Sequence, residues 1–183
     1  MRLVLLDRDG VLNEDREDYV KSPAEVIMIP GSARAVARLN RAGFKVALCT
    51  NQSAVGRGII TRERLDQINA HIRDQLAKEG GRIDAIFFCP HRPEENCPCR
   101  KPKPGMLLEA LRRFGANAAD TPMAGDGLRD LQAAKAAGCK RHLLRSGNGA
   151  KTQADGIPHG VLPVHVHENL AAMVDALLGE GTS

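Results

Sequence analysis

The length, composition and charge of this chain are those of an ordinary globular protein. It has 183 residues, of which 43% are hydrophobic and 26% are charged, enough for one domain with a sizeable core. The net charge is only +4 and the basic residues are scattered, which is typical of a solvated surface. Tryptophan is absent and tyrosine occurs once, so stacking platforms for nucleic-acid bases are poorly supplied. We expect a single domain over residues 1–183 and a small anionic substrate, not nucleic acid.

The N-terminal apolar run is too short for a signal peptide. The charged Asp7-Arg8-Asp9 follows it directly, and no later run approaches the length of a membrane span. This pattern indicates a cytoplasmic protein without membrane contact, in which the five cysteines are reduced. Clustered cysteines then favour a metal site over disulfides. Nothing in the sequence demands association, so we expect a monomer.

Strand-like and helix-like segments alternate along the chain. Short apolar runs predict β-strands at residues 3–6, 44–49, 83–88, 122–124, 141–144 and 161–166. Apolar residues at helical spacing predict helices at residues 33–42, 61–76, 106–114, 128–137 and 169–178. Repeated β-then-α units predict an α/β fold, a Rossmann-like parallel sheet with helices on both faces. Residues 13–30 are too long for a simple turn, and we interpret them as an excursion or small flap.

Polar side chains directly follow several of the predicted strands. In a parallel sheet the ends of these strands lie at the same edge. Asp7 and Asp9 follow the first strand, Thr50 the second and Asp126 a later one, and Lys101 lies in an irregular stretch. Open parallel sheets bind ligands beyond the carboxyl ends of their strands. Two carboxylates as close as Asp7 and Asp9 repel unless a cation lies between them. Magnesium prefers oxygen ligands, and we expect Asp7, Asp9 and Asp126 to hold Mg²⁺.

The same groups suit phosphoryl transfer. Asp7 would attack phosphorus and form a phospho-aspartate, which splits one difficult step into two. Asp9 would protonate the leaving alkoxide and then take a proton from the water that cleaves the intermediate. Thr50 and Lys101 would bind the equatorial oxygens, over which charge is spread in the transition state. The pattern predicts a magnesium-dependent phosphatase.

These motifs resemble those of the haloacid dehalogenase superfamily. In chain order the matching pieces are Asp7-Arg8-Asp9-Gly10-Val11, Thr50-Asn51-Gln52-Ser53, Lys101, and Gly125-Asp126 with Asp130. An isolated Asp-x-Asp is usually a surface feature, whereas four motifs in the superfamily's order are specific. The resemblance implies that the second motif is a phosphate-binding turn whose substrate contacts are Asn51, Gln52 and Ser53.

A cysteine-rich stretch supplies a second set of candidate metal ligands. The four residues form the Cys₃His set typical of tetrahedral zinc: Cys89, His91, Cys97 and Cys99. A closed set of four ligands leaves no open position, so we expect the Zn²⁺ to be structural. Reduced cysteines that merely cluster, or a redox pair at Cys97 and Cys99, are the alternatives.

The position of this stretch links it to the phosphate site. Arg100 and Lys101 follow Cys99 directly, so a zinc-binding loop would fix both cations against the substrate. Cys49 and Cys139 have no neighbouring cysteine or histidine of this kind. We expect them to be small buried residues.

Within the superfamily, the chain is similar to the small capless branch that contains heptose bisphosphate phosphatases and histidinol-phosphatase domains. The resemblance runs from residue 1 to about residue 178 and includes Gly56-Arg57-Gly58 and the stretch from Cys89 to Met106. It implies a capless enzyme that removes the 7-phosphate of a small phosphorylated sugar, D-glycero-D-manno-heptose 1,7-bisphosphate, on the way to lipopolysaccharide. Histidinol phosphate is the alternative substrate.

The same resemblance implies substrate contacts. Arg100 would contact the second phosphate. Part of the branch's substrate loop falls on Asp15, Asp18 and Tyr19. The branch often has lysine directly after the fourth-motif aspartate, where this chain has Gly127. That contact is missing here or is supplied by Arg129 or Arg145.

Other classes of protein share parts of this pattern. A receiver-type signalling module also uses Asp, Thr and Lys with magnesium, but its acceptor aspartate lies on a later strand. A zinc-containing nucleic-acid binder would explain the cysteines but not the carboxylate motifs. A polynucleotide 3′-phosphatase would need a basic groove. Three late histidines lie away from the motifs and are expected to be surface or packing residues: His159, His165 and His167.

Overall fold

The fold is built on one parallel sheet, described for residues 1–179 by a computed structural model. Its six strands follow the order β3-β2-β1-β4-β5-β6. They are β1 (Leu3–Leu6), β2 (Lys45–Asn51), β3 (Ala85–Cys89), β4 (Pro122–Gly125), β5 (Lys140–Leu144) and β6 (His165–His167). The α-helices are α1 (Ser32–Arg41), α2 (Ser53–Gly56), α3 (Arg62–Lys78), α4 (Gly105–Phe114), α5 (Leu128–Ala137), α6 (Gly149–Asp155) and α7 (Leu170–Gly179). Residues 180–183 of the predicted domain lie outside the described residues.

Each face of the sheet has its own apolar core, because successive side chains of a strand point to opposite faces. On one face, Val4 and Leu6 of β1 pack with α1, α3 and α7. On the other face, Leu3 and Leu5 pack with α4 and α5. All four residues are at most 1% exposed, as expected for a parallel strand covered on both sides. The predicted Rossmann-like sheet with helices on both faces is confirmed.

Local signals set the ends of the helices. The hydroxyl oxygen of Thr61 accepts a hydrogen bond from the Arg64 amide at 3.1 Å and caps α3. Gly138 ends α5 with a φ of 81°, in the left-handed region that favours glycine. The apolar stripe expected for α3 is buried: Leu65, Ile68, Ile72 and Leu76.

The C-terminal end of the sheet differs from the prediction. The strand expected at residues 161–166 is shorter and begins later, at His165, and residues 159–161 form a single 3₁₀ turn. Pro163 has no amide hydrogen to donate to a strand ladder. Val161 is instead buried against Leu131 and Leu143. The short helices α2 and α6 were not indicated by the sequence pattern.

The strand order decides where a ligand can bind. The chain builds outward from β1, through β2 and β3 on one side and through β4, β5 and β6 on the other. The order reverses between β1 and β4, and open parallel sheets bind ligands at the carboxyl ends of strands at such a point. In residues 1–179, only loops and single helical turns lie between β1 and α1 and between β2 and α3. No cap domain therefore covers the crevice in this part of the chain.

In the described chain, no helix combines the length and the apolar character that crossing a membrane requires.

Candidate active site

Three carboxylates meet at the carboxyl ends of β1 and β4. Asp7 follows β1, Asp126 follows β4, and Asp130 lies in the first turn of α5. One carboxylate oxygen from each lies within 4.8 Å of the others. Asp126 and Asp130 are only 6% and 3% exposed. The carboxylate of Asp9, which was expected to join Asp7 and Asp126, is directed instead to the guanidinium of Arg8.

One buried cation compensates part of this negative charge. Lys101 is 2% exposed, and its Nζ lies 2.6 Å from Asp130 Oδ1 and 3.1 Å from Asp7 Oδ1. Burial opposes the charge of this amine, but the carboxylates of Asp130 and Asp7 raise its pKa above the ordinary value. Asn51 fixes the Lys101 backbone, accepting from its amide at 3.0 Å and donating to its carbonyl oxygen at 3.1 Å. Lys101 is thereby held as a fixed positive charge beside Asp7.

The three carboxylates outnumber the one buried cation, which makes their full ionisation unfavourable. Burial, assisted by neighbouring carboxylates and opposed by Lys101, raises the pKa of Asp7 to about 8. Burial and the charge of Asp130 raise the pKa of Asp126 to about 7. A divalent cation between these groups would favour their ionised forms. Because the donors are all oxygens, the site fits a hard cation such as Mg²⁺.

Two glycines let the backbone approach Asp126 closely. Gly10 has a φ of 82° and Gly147 a φ of 56°, both in the left-handed region. A β-carbon at either position would collide with the Asp126 carboxylate. The amide of Asn148 donates to Asp126 Oδ2 at 2.8 Å. The loops after β1 and β5 therefore enclose this carboxylate and fix its orientation.

Asp9 accepts hydrogen bonds from several directions. Arg8 Nη2 lies 3.0 Å from Asp9 Oδ1 and 3.2 Å from Oδ2. Asn13 Nδ2 donates to Oδ1 at 2.9 Å and Gln52 Nε2 donates to Oδ2 at 2.8 Å. Burial opposes ionisation of Asp9, but the Arg8 charge and these hydrogen bonds hold its pKa below the ordinary value. The side chain still lines the cleft, with 20% of its surface exposed.

The turn after β2 brings the second motif to the same cleft. Asn51, Gln52 and Ser53 line it beside Asp7, whereas Thr50 is fully buried beneath the surface. Thr50 Oγ1 accepts a hydrogen bond from Gln52 Nε2 at 2.9 Å. Gln52 is 4% exposed, and both ends of its amide are bonded within the protein. Gln52 therefore orients the side chains of Arg8, Asp9 and Thr50.

The excursion at residues 13–30 forms another wall of the cleft. Asp15 and Tyr19 line it, and Asp15 accepts a hydrogen bond from Asn148 Nδ2 at 3.0 Å. Asp18, the third residue expected in the substrate loop, does not line the cleft. It forms exposed ion pairs with Arg16 at 2.9 Å and with Lys21 at 2.8 Å. In this structure Asp18 orders the loop, while Asp15 and Tyr19 face the site.

Four arginines line the cleft, whose volume is about 500 Å³. Arg16 is paired with Asp18, and the other three are Arg57, Arg100 and Arg129. Burial and the nearby charge of Arg129, with a smaller effect of Arg57, lower the pKa of Arg100. A bound anion would relieve the repulsion between these arginines. Arg145 instead contacts Gln153 and Glu168 away from the cleft. Arg129 is therefore the better candidate to replace the lysine that the branch often has at the position of Gly127.

The cysteine-rich stretch brings four potential metal ligands together. Their ligand atoms all lie within 4.8 Å of one another: Cys89, His91, Cys97 and Cys99. The sulfurs are 3.1–3.5 Å apart, and the histidine Nδ1 lies 3.3–3.4 Å from two of them. Tetrahedral zinc with Zn–S bonds of about 2.3 Å holds its sulfurs about 3.8 Å apart. Although burial opposes it, hydrogen bonds from the Arg100 amide and the neighbouring thiols lower the pKa of Cys97 to about 6. The donor set therefore fits zinc.

The remaining cysteines and histidines lie away from both clusters. Cys49 and Cys139 are 0% and 1% exposed, which confirms the prediction of small buried residues. His165 and His167 stack on the ring of His142, with ring centroids 4.9 and 5.3 Å apart. These two histidines therefore pack against a neighbouring strand at the edge of the sheet, as predicted for packing residues.

Sequence reasoning missed several residues that line the cleft. Arg16 and Glu17 belong to the excursion, and Asn148 precedes α6. The turn composition of Ser146-Gly147-Asn148-Gly149 was a usable signal for a loop at that point. No local pattern connects that loop to Asp126, which lies 22 residues earlier in the chain.

The fold and the carboxylate site together define a class of protein. The model of one family, described as haloacid dehalogenase-like hydrolase, matches residues 11–138. This match covers more than half of the chain, and the chain belongs to that family.

Particular relatives are similar over almost the whole chain. The D-glycero-beta-D-manno-heptose-1,7-bisphosphate 7-phosphatase of Bordetella bronchiseptica is 49% identical over 181 residues, which cover 98% of this chain and 99% of the relative. The protein of the same name from Neisseria meningitidis serogroup B is 45% identical over 186 residues, covering 100% and 98%. The crystal structure of a D,D-heptose 1,7-bisphosphate phosphatase from B. bronchiseptica, complexed with magnesium and phosphate, is 49% identical with a TM-score of 0.94. It covers 98% of this chain and 99% of its own.

Proposed function

We propose that this protein is a magnesium-dependent phosphatase that removes the 7-phosphate of D-glycero-D-manno-heptose 1,7-bisphosphate through a phospho-aspartate. The observation that carries the proposal is the position of Asp7, at the end of β1, between the Lys101 cation and the Asp126 carboxylate. Relatives with 49% and 45% identity carry that activity in their names. A nucleophilic carboxylate, a fixed cation and a cation-binding pair of carboxylates are the parts that phosphoryl transfer requires.

The proposed reaction has two halves. A carboxylate oxygen of Asp7 attacks phosphorus and the bond from phosphorus to the sugar oxygen breaks. Asp9, which must enter this step protonated despite the Arg8 charge, gives its proton to the leaving alkoxide. Asp9 then takes a proton from the water that attacks the phospho-aspartate, which releases inorganic phosphate and restores Asp7. Lys101 and the turn at Thr50 stabilise the charge on the transferred oxygens. Mg²⁺, held by Asp7 and Asp126, would neutralise charge on the phosphate when bound, whereas the Asp9 carboxylate, predicted from the sequence as a third ligand, lies outside this group.

The arginines at the mouth of the cleft support a bisphosphate substrate. Arg57, Arg100 and Arg129 line the same cleft as Asp7, and arginine is well suited to bidentate recognition of phosphate. A second phosphate on the substrate would pair with these arginines, which favours a sugar bisphosphate over histidinol phosphate.

We propose a structural zinc in the Cys₃His cluster, a monomeric state and a single domain over residues 1–183. The zinc proposal is supported by the convergence of four soft or borderline ligands. Thiolate ligands persist in a reducing compartment, which supports a cytoplasmic location. A small phosphorylated sugar is the only partner proposed, with neither nucleic acid nor a membrane.

Phosphate release with magnesium tests the proposed substrate directly. We would compare heptose 1,7-bisphosphate, histidinol phosphate and a 3′-phosphorylated oligonucleotide at equal concentrations. The expected result is a kcat/KM for the heptose at least about 100-fold above the others, because histidinol phosphate has no second phosphate and the oligonucleotide offers only singly charged phosphodiesters to the second subsite. Preference for histidinol phosphate would contradict the proposed sugar substrate but would remain consistent with the proposed phosphatase mechanism. Preference for the oligonucleotide would point to a polynucleotide 3′-phosphatase.

Replacement of Arg129 tests the second-phosphate subsite. We expect Arg129→Gln to raise KM for the bisphosphate by about tenfold, the loss of one charge-assisted hydrogen bond. KM for the corresponding 7-monophosphate should stay within about twofold, since it has no second phosphate. Arg112→Gln is the matched control, because Arg112 is exposed on α4 and does not line the cleft. Equal increases in KM for the two substrates would contradict this role of Arg129.

A further inference from the structure

Arg8 is a buried arginine that the proposed reaction does not use. It lies between Asp7 and Asp9 in the chain, yet its residue exposure is 0%. A guanidinium so far from solvent must satisfy its donors within the protein. Its acceptors are the adjacent Asp9 and two residues distant in sequence, Gln52 and Asn69.

The acceptors of Arg8 connect α3 to the catalytic loops. Nη1 donates to Asn69 Oδ1 at 3.0 Å, and Nη2 donates to Gln52 Oε1 at 3.2 Å. Nε donates to Asp9 Oδ1 at 3.2 Å, and Nη2 lies 3.0 Å from the same oxygen. Asn69 is 7% exposed in the middle of α3 and does not line the cleft. Helix α3 thus supports the guanidinium from outside the catalytic cleft.

Arg8 also fixes the orientation of Gln52. The Gln52 carbonyl oxygen accepts from Arg8, so its amide nitrogen must be the end that donates to Asp9 Oδ2 at 2.8 Å. That nitrogen also donates to Thr50 Oγ1 at 2.9 Å. Both oxygens of Asp9 therefore receive hydrogen bonds from Arg8 itself, and Oδ2 receives another from Gln52, which Arg8 orients. The plane of the Asp9 carboxylate is set by these contacts.

We propose that Arg8, supported by Asn69, is a positioning residue that aims the Asp9 carboxylate at the leaving group. The inference rests on the proposed function, in which Asp9 protonates the leaving alkoxide. General acids act only when they lie within hydrogen-bond reach of the atom that they protonate. Asn69 contributes through Arg8 and touches neither substrate nor Asp9.

Asn69 gives a cleaner test than Arg8. Removing the Arg8 charge would leave the largely buried Asp9 without its cation, and such changes are strongly destabilising. Asn69→Leu replaces the side-chain amide, including the Oδ1 acceptor, by an apolar group of similar size. Asn69→Asp keeps an acceptor at the same position and serves as the rescuing variant.

Substrates with different leaving groups distinguish a misplaced Asp9 from a general disruption of the active site. A sugar alkoxide needs a proton as it leaves, whereas para-nitrophenolate is stable enough to leave without one. For Asn69→Leu with magnesium, we expect kcat/KM for the alkyl phosphate to fall at least about tenfold, with most of the loss in kcat. The kcat/KM for para-nitrophenyl phosphate should stay within about twofold, and Asn69→Asp should recover most of the alkyl activity.

Two outcomes would overturn the proposal. Equal losses on both substrates would show that Asn69 supports the site as a whole. A lower melting temperature with unchanged kinetics would show that the contact serves folding alone. The comparison uses any alkyl phosphate that the wild-type protein hydrolyses, so failure of heptose bisphosphate as substrate is detected separately in the wild type.

Discussion

Asp7→Asn is expected to abolish phosphate release, with a loss of at least about 10³-fold in kcat. The amide that replaces the carboxylate is a poor nucleophile and cannot form the phospho-aspartate. It also removes one of the anionic ligands proposed for Mg²⁺. Release of phosphate under saturating substrate and magnesium measures the loss. Acid-quenched intact mass measurements should show a phosphorylated species in the wild type and none in the variant.

The fold should tolerate this change. Burial and the neighbouring carboxylates raise the pKa of Asp7 to about 8, which means that its surroundings without a metal disfavour the charge. A neutral amide of nearly the same shape removes that penalty, and Lys101 keeps its closer partner Asp130 at 2.6 Å. We therefore expect the melting temperature without magnesium to be unchanged or higher.

Asp66→Asn is the matched control for Asp7→Asn. Asp66 lies on α3, its side chain is 61% exposed, and its ion pair with Arg62 is a surface pair of small effect. The control should retain full turnover. Full turnover in Asp7→Asn itself would rule out a nucleophilic role for that residue.

The parts of the site that follow strands could be predicted from the sequence. Leu3–Leu6 is apolar without interruption, as a parallel strand buried on both faces must be. The residue after such a strand lies at the ligand-binding edge, so Asp7 was placed correctly without knowledge of its neighbours. The same argument placed Asp126 after β4.

The tertiary contacts that orient these residues could not be predicted in this way. Arg8 and Asn69 are 61 residues apart, and no periodicity in α3 distinguishes a buried asparagine that bonds an arginine from one that faces solvent. Asp9 is a related case. Spacing puts it beside Asp7, but the bonds from Arg8, Asn13 and Gln52 hold its carboxylate outside the group formed by Asp7, Asp126 and Asp130.

Loss of the proposed zinc is expected to lower both stability and activity. Cys97→Ser removes one of four clustered ligands, and a structural zinc contributes its binding free energy to folding. We expect a loss of about 3 kcal/mol or more, which corresponds to a melting temperature lower by about 6–12 °C. Metal analysis of the purified protein should show about one zinc per chain in the wild type and less in the variant.

The expected loss of activity follows from how the zinc-binding loop contacts the site. The Gly56 amide of α2 donates to the Pro90 carbonyl oxygen at 2.9 Å, and a β-carbon on Gly56 would collide with that oxygen. The loop therefore packs directly against the turn that carries the second motif. On its other side, Lys101 follows Cys99 after one residue. Without zinc we expect Arg100 to lose its position first, since Asn51 and Asp130 still hold Lys101.

This order of events makes the prediction specific. In Cys97→Ser, KM for the bisphosphate should rise about tenfold because Arg100 is misplaced. The kcat should fall by a smaller factor. Cys139→Ala is the matched control, because it removes a buried thiol outside the cluster and should cost only about 1 kcal/mol. Its zinc content and KM should equal those of the wild type. A zinc-depleted protein with unchanged melting temperature and kinetics, assayed in excess magnesium, would contradict the structural role, since the hydrogen bond described for the Arg100 guanidinium, to the His91 carbonyl oxygen at 3.4 Å, comes from the same loop.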